Sequence, residues 1–318
     1  ETRPYVSWEL MNAFLTDAFA GYGVPRDEAA ICADVLLESD RRGIESHGCN
    51  RFKPIYIDRI EAGIQNPVTK IDILKETPTT AVLDANDGMG MVASHRAMEM
   101  AIEKAKNFGL AMVAVRNSTH YGIAGYWTTM ATDAGMIGMT GTNARPSIAP
   151  TFGVENMLGT NPLTVGMPTD EDFPFMLDCA TSISQRGKIE YYARSGKDTP
   201  AGMVIGRDGS AMTDSPAILK GLTDGSAALA PLGGIGEDLA RVDEAGGQCA
   251  DGDDALGYEA IGAVECHAIC IFDHGLAMQS TEDGAGHHAD RIRVAARVDA
   301  VLDRGTEITL VEEREAER

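Results

Sequence analysis

Apolar and polar residues follow a helical spacing through the first third of the chain. One helix is predicted over residues 7–19, with Ser7 as its cap, and a second over residues 25–40. A third helical stretch is predicted over residues 51–62. Together these stretches predict an N-terminal helical domain at residues 1–78.

Beyond residue 79, short apolar strands alternate with amphipathic helices. Such alternation is typical of βαβ units and predicts an α/β domain at residues 79–238 with a largely parallel sheet. A hairpin that turns at Asp208–Gly209 is predicted to join residues 203–205 to 211–213. The predicted strands are 80–85, 110–115, 136–142, 163–167 and 175–177, and the predicted helices are 92–107, 125–134 and 185–193.

The last part of the chain, residues 239–318, shows no clean period of either 2 or 3.6 residues. Segments such as residues 246–254 are rich in glycine and acidic side chains. This composition predicts an irregular tail that is poorly packed or partly disordered.

Charge and cysteine content narrow the class of protein. A net charge of −21 excludes a nucleic-acid partner, which requires basic surface, and disfavours an anionic membrane. No run of apolar residues is long enough to span a bilayer, and the first residues do not resemble a secretion signal. The six cysteines are dispersed, which indicates free thiols and a cytoplasmic protein.

A histidine lies in a glycine-rich turn between a predicted strand and a predicted helix. The turn reads Thr119-His120-Tyr121-Gly122-Ile123-Ala124-Gly125. An imidazole can exchange a proton near neutral pH, and the start of a helix offers unpaired N–H groups to an anion. The turn therefore predicts acid–base or redox chemistry at His120.

A second glycine-rich turn, Gly88–Ala93, also follows a strand and opens a helix. Its spacing fits the G-x-G-x-x-A pattern of a dinucleotide phosphate loop, with Arg116 placed to favour a 2′-phosphate. The same glycines are equally explained by a small-residue turn that packs a helix onto a sheet. The residues alone leave both interpretations open.

A third cluster combines Ser46 and His47 with Arg51, four residues further on. A guanidinium can hold a carboxylate through two hydrogen bonds, and the imidazole beside it can move a proton. Read alone, the cluster also fits a helix-capping serine beside a surface histidine. Asp178 ends an apolar strand, where it could orient an imidazole or cap a helix.

Five motifs follow one another along the chain: Ser46-His47-Gly48 with Arg51, Thr119-His120-Tyr121-Gly122, Gly159-Thr160-Asn161-Pro162, Asp178-x-Ala180-Thr181 and Pro231-Leu232-Gly233-Gly234. Taken together, these motifs resemble the type 2 malate/L-lactate dehydrogenase family over about residues 5–238. That family includes malate, lactate, sulfolactate and ureidoglycolate dehydrogenases. The resemblance implies a nucleotide-binding domain that is not a Rossmann fold, with a mixed sheet flanked by helices. It also implies NAD or NADP as the cofactor, a homodimer, and an active site beside the helical substrate domain.

The resemblance also implies a role for individual residues. His120 would be the acid and base, and Arg51 would hold the substrate carboxylate with help from Thr160. His47 would lie in the pocket, linked to Ser46 and to Asp178. The family's cofactor-binding residues correspond to His120, Tyr121, Gly122, Ile123, Ala124, Asp178, Cys179 and Ala180. No metal is expected.

The tail departs from the family pattern after Gly234, because the usual lysine segment and long apolar helix are missing. A shifted reading frame or a divergent replacement would each explain this. A catalytically silent nucleotide- or metabolite-binding homologue is therefore the alternative function. A zinc site is the alternative for the tail, with candidate ligands Cys266, His267, Cys270, His274, His287 and His288.

Overall fold

A computed structural model describes residues 5–233 and 265–273 of the chain. Two packed helices open it, α1 (Trp8–Gly21) and α2 (Arg26–Arg41). The Ser7 hydroxyl accepts a hydrogen bond from the backbone N–H of Leu10 at 3.2 Å and so caps α1, as its position before the apolar pattern predicts.

The segment over residues 51–62 is helical, but the prediction of one regular helix there is wrong. Two turns of 3-10 helix, Glu45–His47 and Cys49–Arg51, lead into a π-helical turn, Phe52–Ile57, and a short helix α3 (Asp58–Glu61). Pro54 lies inside the segment and has no N–H to donate to the preceding turn, so a regular α-helix cannot continue through it.

Seven strands form one sheet at the centre of the fold: β1 (Asp72–Glu76), β2 (Thr80–Asp84), β3 (Leu110–Ser118), β4 (Met136–Thr142), β5 (Leu163–Met167), β6 (Phe175–Cys179) and β9 (Glu265–Asp273). Their order in the sheet is β1-β2-β3-β9-β4-β5-β6. Helix α4 (Gly90–Phe108) packs on β3, and α5 (Ala124–Asp133) packs on β4 and β5.

The sheet is mixed, as the family resemblance implies, and the expectation of a largely parallel sheet is wrong. Only β2 and β3 pair in parallel, and the other neighbouring pairs are antiparallel. Strand β9 from the tail lies between β3 and β4 and pairs antiparallel with both. Strands β2 and β3, which α4 connects, lie side by side. Strands β3 and β4, which α5 connects, are separated by β9.

The sequence pattern did not predict β9, because residues 265–273 lie in a stretch without a clear period. A central strand with partners on both sides does not need alternating polar and apolar residues. The rest of the tail lies outside the described residues, so the expectation of irregular structure there stays a prediction.

A smaller unit follows β6. It contains α6 (Arg186–Arg194), β7 (Val204–Gly206), α7 (Ser215–Asp224) and β8 (Ala227–Leu229). The predicted hairpin is present but short: Ile205 bridges Ala211, and the N–H groups of Gly206 and Met212 donate across it to the carbonyls of Ser210 and Val204, each at 2.9 Å. Strand β7 also pairs with β8, which was not predicted. Strand β8 is fully buried and contributes to the apolar core of this smaller unit.

One hydrophobic core joins the helical layer to the main sheet. It includes Leu36 from α2, Met98 from α4, Val113 from β3 and Trp127 from α5. The proposed boundary between residues 78 and 79 stays a prediction. In the described part of the chain, no helix is both long and apolar enough to cross a membrane.

Candidate active site

His120 lies in the loop between β3 and α5. The Tyr56 hydroxyl lies 2.7 Å from His120 Nδ1, and the Gly122 backbone N–H donates to the same nitrogen at 3.3 Å. A backbone N–H can only donate, so Nδ1 accepts and the neutral ring carries its proton on Nε2. Tyr56 is fully buried, so the anchor is rigid.

His47 stacks on His120, with ring centroids 5.6 Å apart and an angle of 20° between the planes. The Ser46 hydroxyl lies 2.9 Å from His47 Nδ1. Burial lowers the pKa of His47 to about 4, the positive charge of Arg51 adds to this, and the carboxylate of Asp178 opposes it. His47 is therefore neutral at physiological pH.

Arg51 is almost fully buried, with 8% of its surface exposed. Its Nε donates to the side-chain oxygen of Asn50 at 2.7 Å, and its Nη2 donates to the Glu190 carboxylate at 2.5 Å. Arg186 donates to the other oxygen of Glu190 at 3.2 Å. Two guanidinium groups thus share one carboxylate, which leaves one positive charge uncompensated in this cluster.

Glu190 stays ionised in this cluster. Burial opposes its charge, but hydrogen bonds and charge from Arg51 and Arg186 hold the pKa of Glu190 below its ordinary value. Sequence reasoning missed Glu190, although its position four residues after Arg186 is a signal for a helical ion pair. It also missed Tyr56, for which the sequence offers no comparable signal.

Asp178 caps helix α5. Its Oδ2 accepts from the Gly125 N–H at 2.8 Å, and its Oδ1 accepts from the Thr164 hydroxyl at 2.9 Å. The prediction that the start of α5 offers unpaired N–H groups to an anion is wrong at Gly125, because a protein carboxylate already occupies that donor. Asp178 acts on His47 through its charge.

The predicted cofactor residues divide into a buried and an accessible group. Four of them are buried: Tyr121, Gly122, Ile123 and Ala124. His120, Cys179 and Ala180 are half-buried, and Asp178 is exposed.

Thr160 lies in the loop before β5. Its carbonyl accepts hydrogen bonds from the backbone N–H of Thr181 at 2.9 Å and from the Thr181 hydroxyl at 3.2 Å. These bonds place Thr160 beside the chain that leaves β6, so it lies near Asp178 in the fold. The structure brings His47 into contact with His120 and places Arg51 close enough to act on His47 through its charge, whereas the contacts of Thr160 are with Thr181.

The Gly88–Ala93 turn serves packing. The Met89 N–H donates to Thr69 at 3.1 Å, and the Gly90 N–H donates to the Thr119 hydroxyl at 2.9 Å. A Cβ added to Gly90 would lie 2.0 Å from the Thr119 carbonyl oxygen. The turn thus has no room for a phosphate, and the phosphate-loop interpretation is wrong.

Arg116, which favoured a 2′-phosphate in the sequence, is paired with Asp84 at 2.9 Å. Among the residues that the structure describes, no cluster of three or more His, Cys, Asp or Glu residues could hold a metal ion. Of the zinc candidates, Cys266, His267 and Cys270 lie on β9, whose side chains are not described. His274, His287 and His288 lie outside the described residues.

A family model described as malate/L-lactate dehydrogenase matches residues 6–265. The chain belongs to this family. The match ends at β9, further along the chain than the motifs alone indicate. It therefore includes part of the tail that departs from the family's usual sequence.

Individual relatives agree with this membership. The chain is 46% identical to malate dehydrogenase from Pyrococcus horikoshii over 231 residues, which cover 73% of this chain and 62% of the relative. It is 42% identical to L-sulfolactate dehydrogenase from Methanocaldococcus jannaschii over 226 residues, which cover 71% of this chain and 63% of the relative. The chain thus spans about three fifths of the length of these curated relatives.

A solved structure, malate dehydrogenase from Entamoeba histolytica, superposes with a TM-score of 0.77 at 38% identity. The superposition covers 87% of this chain and 81% of that chain. None of these comparisons supports the alternative of a catalytically silent homologue.

Proposed function

We propose that this chain transfers a hydride between NAD or NADP and a small 2-hydroxy acid, of the malate, lactate or sulfolactate type. Family membership and the names of the relatives support a dehydrogenase of hydroxy acids. The observation that carries the proposal is the stacked pair His47 and His120 beside the buried guanidinium of Arg51.

In this proposal Arg51 binds the substrate carboxylate. Asn50 and Glu190 each accept one hydrogen bond from the guanidinium, which leaves further N–H groups for a ligand. One bound carboxylate would balance the charge that remains among Arg51, Arg186 and Glu190. Fixing the carboxylate in this way orients the neighbouring carbon for reaction.

His120 exchanges the proton of the substrate oxygen. Its tautomer carries a proton on Nε2, which suits donation to a carbonyl oxygen in the reductive direction. Tyr56 can accept as well as donate, so it can hold the ring in either protonation state. His47 stays neutral beside it and adds no repelling charge when His120 is protonated.

The accessible end of β6 fits one part of a nicotinamide cofactor. Asp178 offers a carboxylate to hydroxyl or amide groups, and its negative charge disfavours a phosphate. We therefore assign Asp178, Cys179, Ala180 and His120 to the uncharged nicotinamide and ribose end. When bound, the cofactor supplies the acceptor or donor of the hydride. The buried residues Tyr121–Ala124 would act by fixing the position of His120.

We also propose a homodimer in the cytoplasm, on the strength of the family resemblance. Cys32, Cys49 and Cys179 are free thiols, which agrees with a reducing compartment. Light scattering of the purified chain measures the oligomeric state, and a monomeric mass would contradict the homodimer.

Oxidation of NADH and NADPH with oxaloacetate, pyruvate and sulfopyruvate tests the reaction. Turnover of any of the three supports the proposal, and the ratio between the two coenzymes gives the preference. Binding of a coenzyme without turnover would instead favour the silent homologue.

The substitution His120→Ala should lower kcat by at least ~100-fold, because it removes the proton donor. The matched control is His95→Ala on α4, which should keep the activity within about twofold, since His95 lies outside the site. Near-normal activity of the His120 variant would refute its role.

A further inference from the structure

Arg51 lies in an irregular part of the backbone. It ends the 3-10 turn Cys49–Arg51, and the π-helical turn Phe52–Ile57 follows directly. The Arg51 N–H donates to the Gly48 carbonyl, three residues back, at 2.8 Å. An arginine side chain has many rotamers, and fixing one of them costs entropy. The direction of the guanidinium therefore depends on the partners of the side chain rather than on a regular helix.

The guanidinium of Arg51 has two such partners, from different parts of the chain. Its Nε donates to the Asn50 side chain at 2.7 Å, and its Nη2 donates to the Glu190 carboxylate at 2.5 Å. Asn50 is exposed and lies on the same 3-10 turn as Arg51. Glu190 lies on α6, 139 positions away in the chain. Of these two partners, only Glu190 joins the guanidinium to another element of the fold.

Glu190 is itself fixed within the smaller unit. Its other carboxylate oxygen accepts from Arg186 Nε at 3.2 Å, and Arg186 Nη1 donates to the Thr223 hydroxyl on α7 at 3.1 Å. The neighbouring Ile189 is fully buried in the apolar core of this unit. A chain of hydrogen bonds thus runs from α7 through Arg186 and Glu190 to Arg51, and through it the smaller unit determines where the guanidinium lies.

The same chain of hydrogen bonds sets the charge around Arg51. The two guanidinium groups and the Glu190 carboxylate leave one net positive charge. An amide in place of the carboxylate would raise this charge to two, whereas loss of the Arg186 guanidinium would lower it to zero. Both changes break the same chain of contacts, but they shift the attraction for an anion in opposite directions.

We propose that Glu190 positions Arg51 for the reaction, by holding the guanidinium at Nη2 so that its remaining N–H groups meet the substrate carboxylate in a fixed orientation. The inference rests on the proposed function of Arg51, and it makes the smaller unit part of the active site. Glu190 acts through Arg51, so it is a positioning residue. Orientation affects the rate strongly, because a misplacement of about 1 Å can cost about 100-fold.

The first test separates kcat from KM in two variants, with pyruvate or oxaloacetate as the substrate. In Glu190→Gln, kcat should fall about 10-fold, because the guanidinium loses its fixed orientation. The KM for the acid should fall about threefold, because the remaining charge attracts the carboxylate more strongly. In Arg186→Gln the KM should instead rise about threefold. A rise in KM in both variants would indicate a merely structural ion pair and overturn the proposal.

The conservative variant Glu190→Asp separates position from charge. It keeps the carboxylate but shortens the side chain, so KM should stay within about twofold while kcat still falls at least ~3-fold. Unaltered kcat in this variant, or a rise in KM, would overturn the positioning role. The matched control is Glu103→Gln on α4, an exposed glutamate 3.8 Å from Lys106, which should keep both constants within about twofold. Circular dichroism checks that each variant keeps its fold.

NMR relaxation measures the positioning without turnover, so it separates failure of this inference from failure of the proposed reaction. The Nε–H signal of Arg51 is assigned by its absence in Arg51→Lys. In the unaltered chain it should be as ordered as the backbone, and in Glu190→Gln it should become mobile on the picosecond to nanosecond timescale. This result would support the inference even if none of the tested acids is turned over. An equally ordered Nε–H in both chains would overturn it, even if the chain is an active dehydrogenase.

Discussion

Two glycine-rich turns in this chain join a strand to a helix, and they differ in where their hydrogen-bond donors point. In the turn between β2 and α4, the N–H groups of Met89 and Gly90 donate to buried threonine hydroxyls. In the turn between β3 and α5, the Gly125 N–H donates to the Asp178 carboxylate, and His120 remains half-buried. The first turn is part of the core, and the second presents a titratable side chain.

The comparison teaches that glycine spacing alone does not identify a nucleotide site. Both turns satisfy a pattern of small residues before a helix, and the first has the better match to a phosphate loop. In the first turn each of these donors has a protein partner, and there is no space for a ligand. A helix start binds an anion only when its donors are both unpaired and accessible.

Among the substitutions that test this comparison, Gly90→Ala should have the largest effect on the free energy of unfolding. The added Cβ would lie 2.0 Å from the Thr119 carbonyl oxygen, so the junction of the two turns must move. We expect a loss of roughly 3 kcal/mol or more in the free energy of unfolding, measured by urea denaturation. The control is Gly21→Ala, where the added Cβ meets nothing within 4 Å and the change should stay below about 0.5 kcal/mol. Equal stability of both variants would show that the first turn is not tightly packed.

The second prediction concerns the histidine that stacks on the second turn. The pKa of His47 is lowered from 6.5 to about 4 by burial, so the unfolded chain binds a proton in this interval and the folded chain does not. The free energy of unfolding should therefore fall as the pH drops from 6.5 to 4. Because His47 is only half-buried, we expect its share of this fall to be about 2 kcal/mol, less than the full shift would give.

His47→Asn should remove that share, and the measurement is urea denaturation of both chains at several pH values. The difference in stability between the unaltered chain and the variant should shrink as the pH falls. His95→Asn on α4 is the matched control. A difference that stays constant from pH 7 to 4 would contradict the depressed pKa of His47.

The smallest effect is expected for Asp178→Asn, which weakens the cap of the second turn. An amide keeps an acceptor but loses the charge that stabilises the start of α5, at a cost of about 1 kcal/mol in the free energy of unfolding. The pKa of His47 should also fall further, because the carboxylate of Asp178 raises it. Thermal denaturation and NMR titration of His47 measure the two effects. Asp172→Asn, on the exposed loop before β6, is the control, and an equal effect there would argue against a capping role.

Much of the local structure could be predicted from the sequence. Strands β4 and β5 have the bounds that their apolar runs predict, and Ser7 caps α1 as expected. These features depend on neighbours in the chain. The pairing of β9 and of β7 could not be predicted, because strand partners are chosen by burial across the whole sheet.

In the candidate site too, the sequence predicts local features but does not predict contacts between distant residues. The motifs around Ser46, His47, Arg51 and His120 were recognisable as candidates because their residue types carry chemistry. The contacts that these residues make in the folded chain could not be recognised from the sequence. The ion pair of Arg51 with Glu190 joins residues that are 139 positions apart, and the hydrogen bond of Tyr56 to His120 spans 64 positions.

The sequence by itself determined the family, the helical and strand segments, and the side chains able to exchange a proton or hold a carboxylate. Only the tertiary structure decided which donors were already satisfied and which histidine is neutral. The physical reason is that residue type sets what a group can do, whereas burial and the partners brought in from distant parts of the chain set what it is free to do.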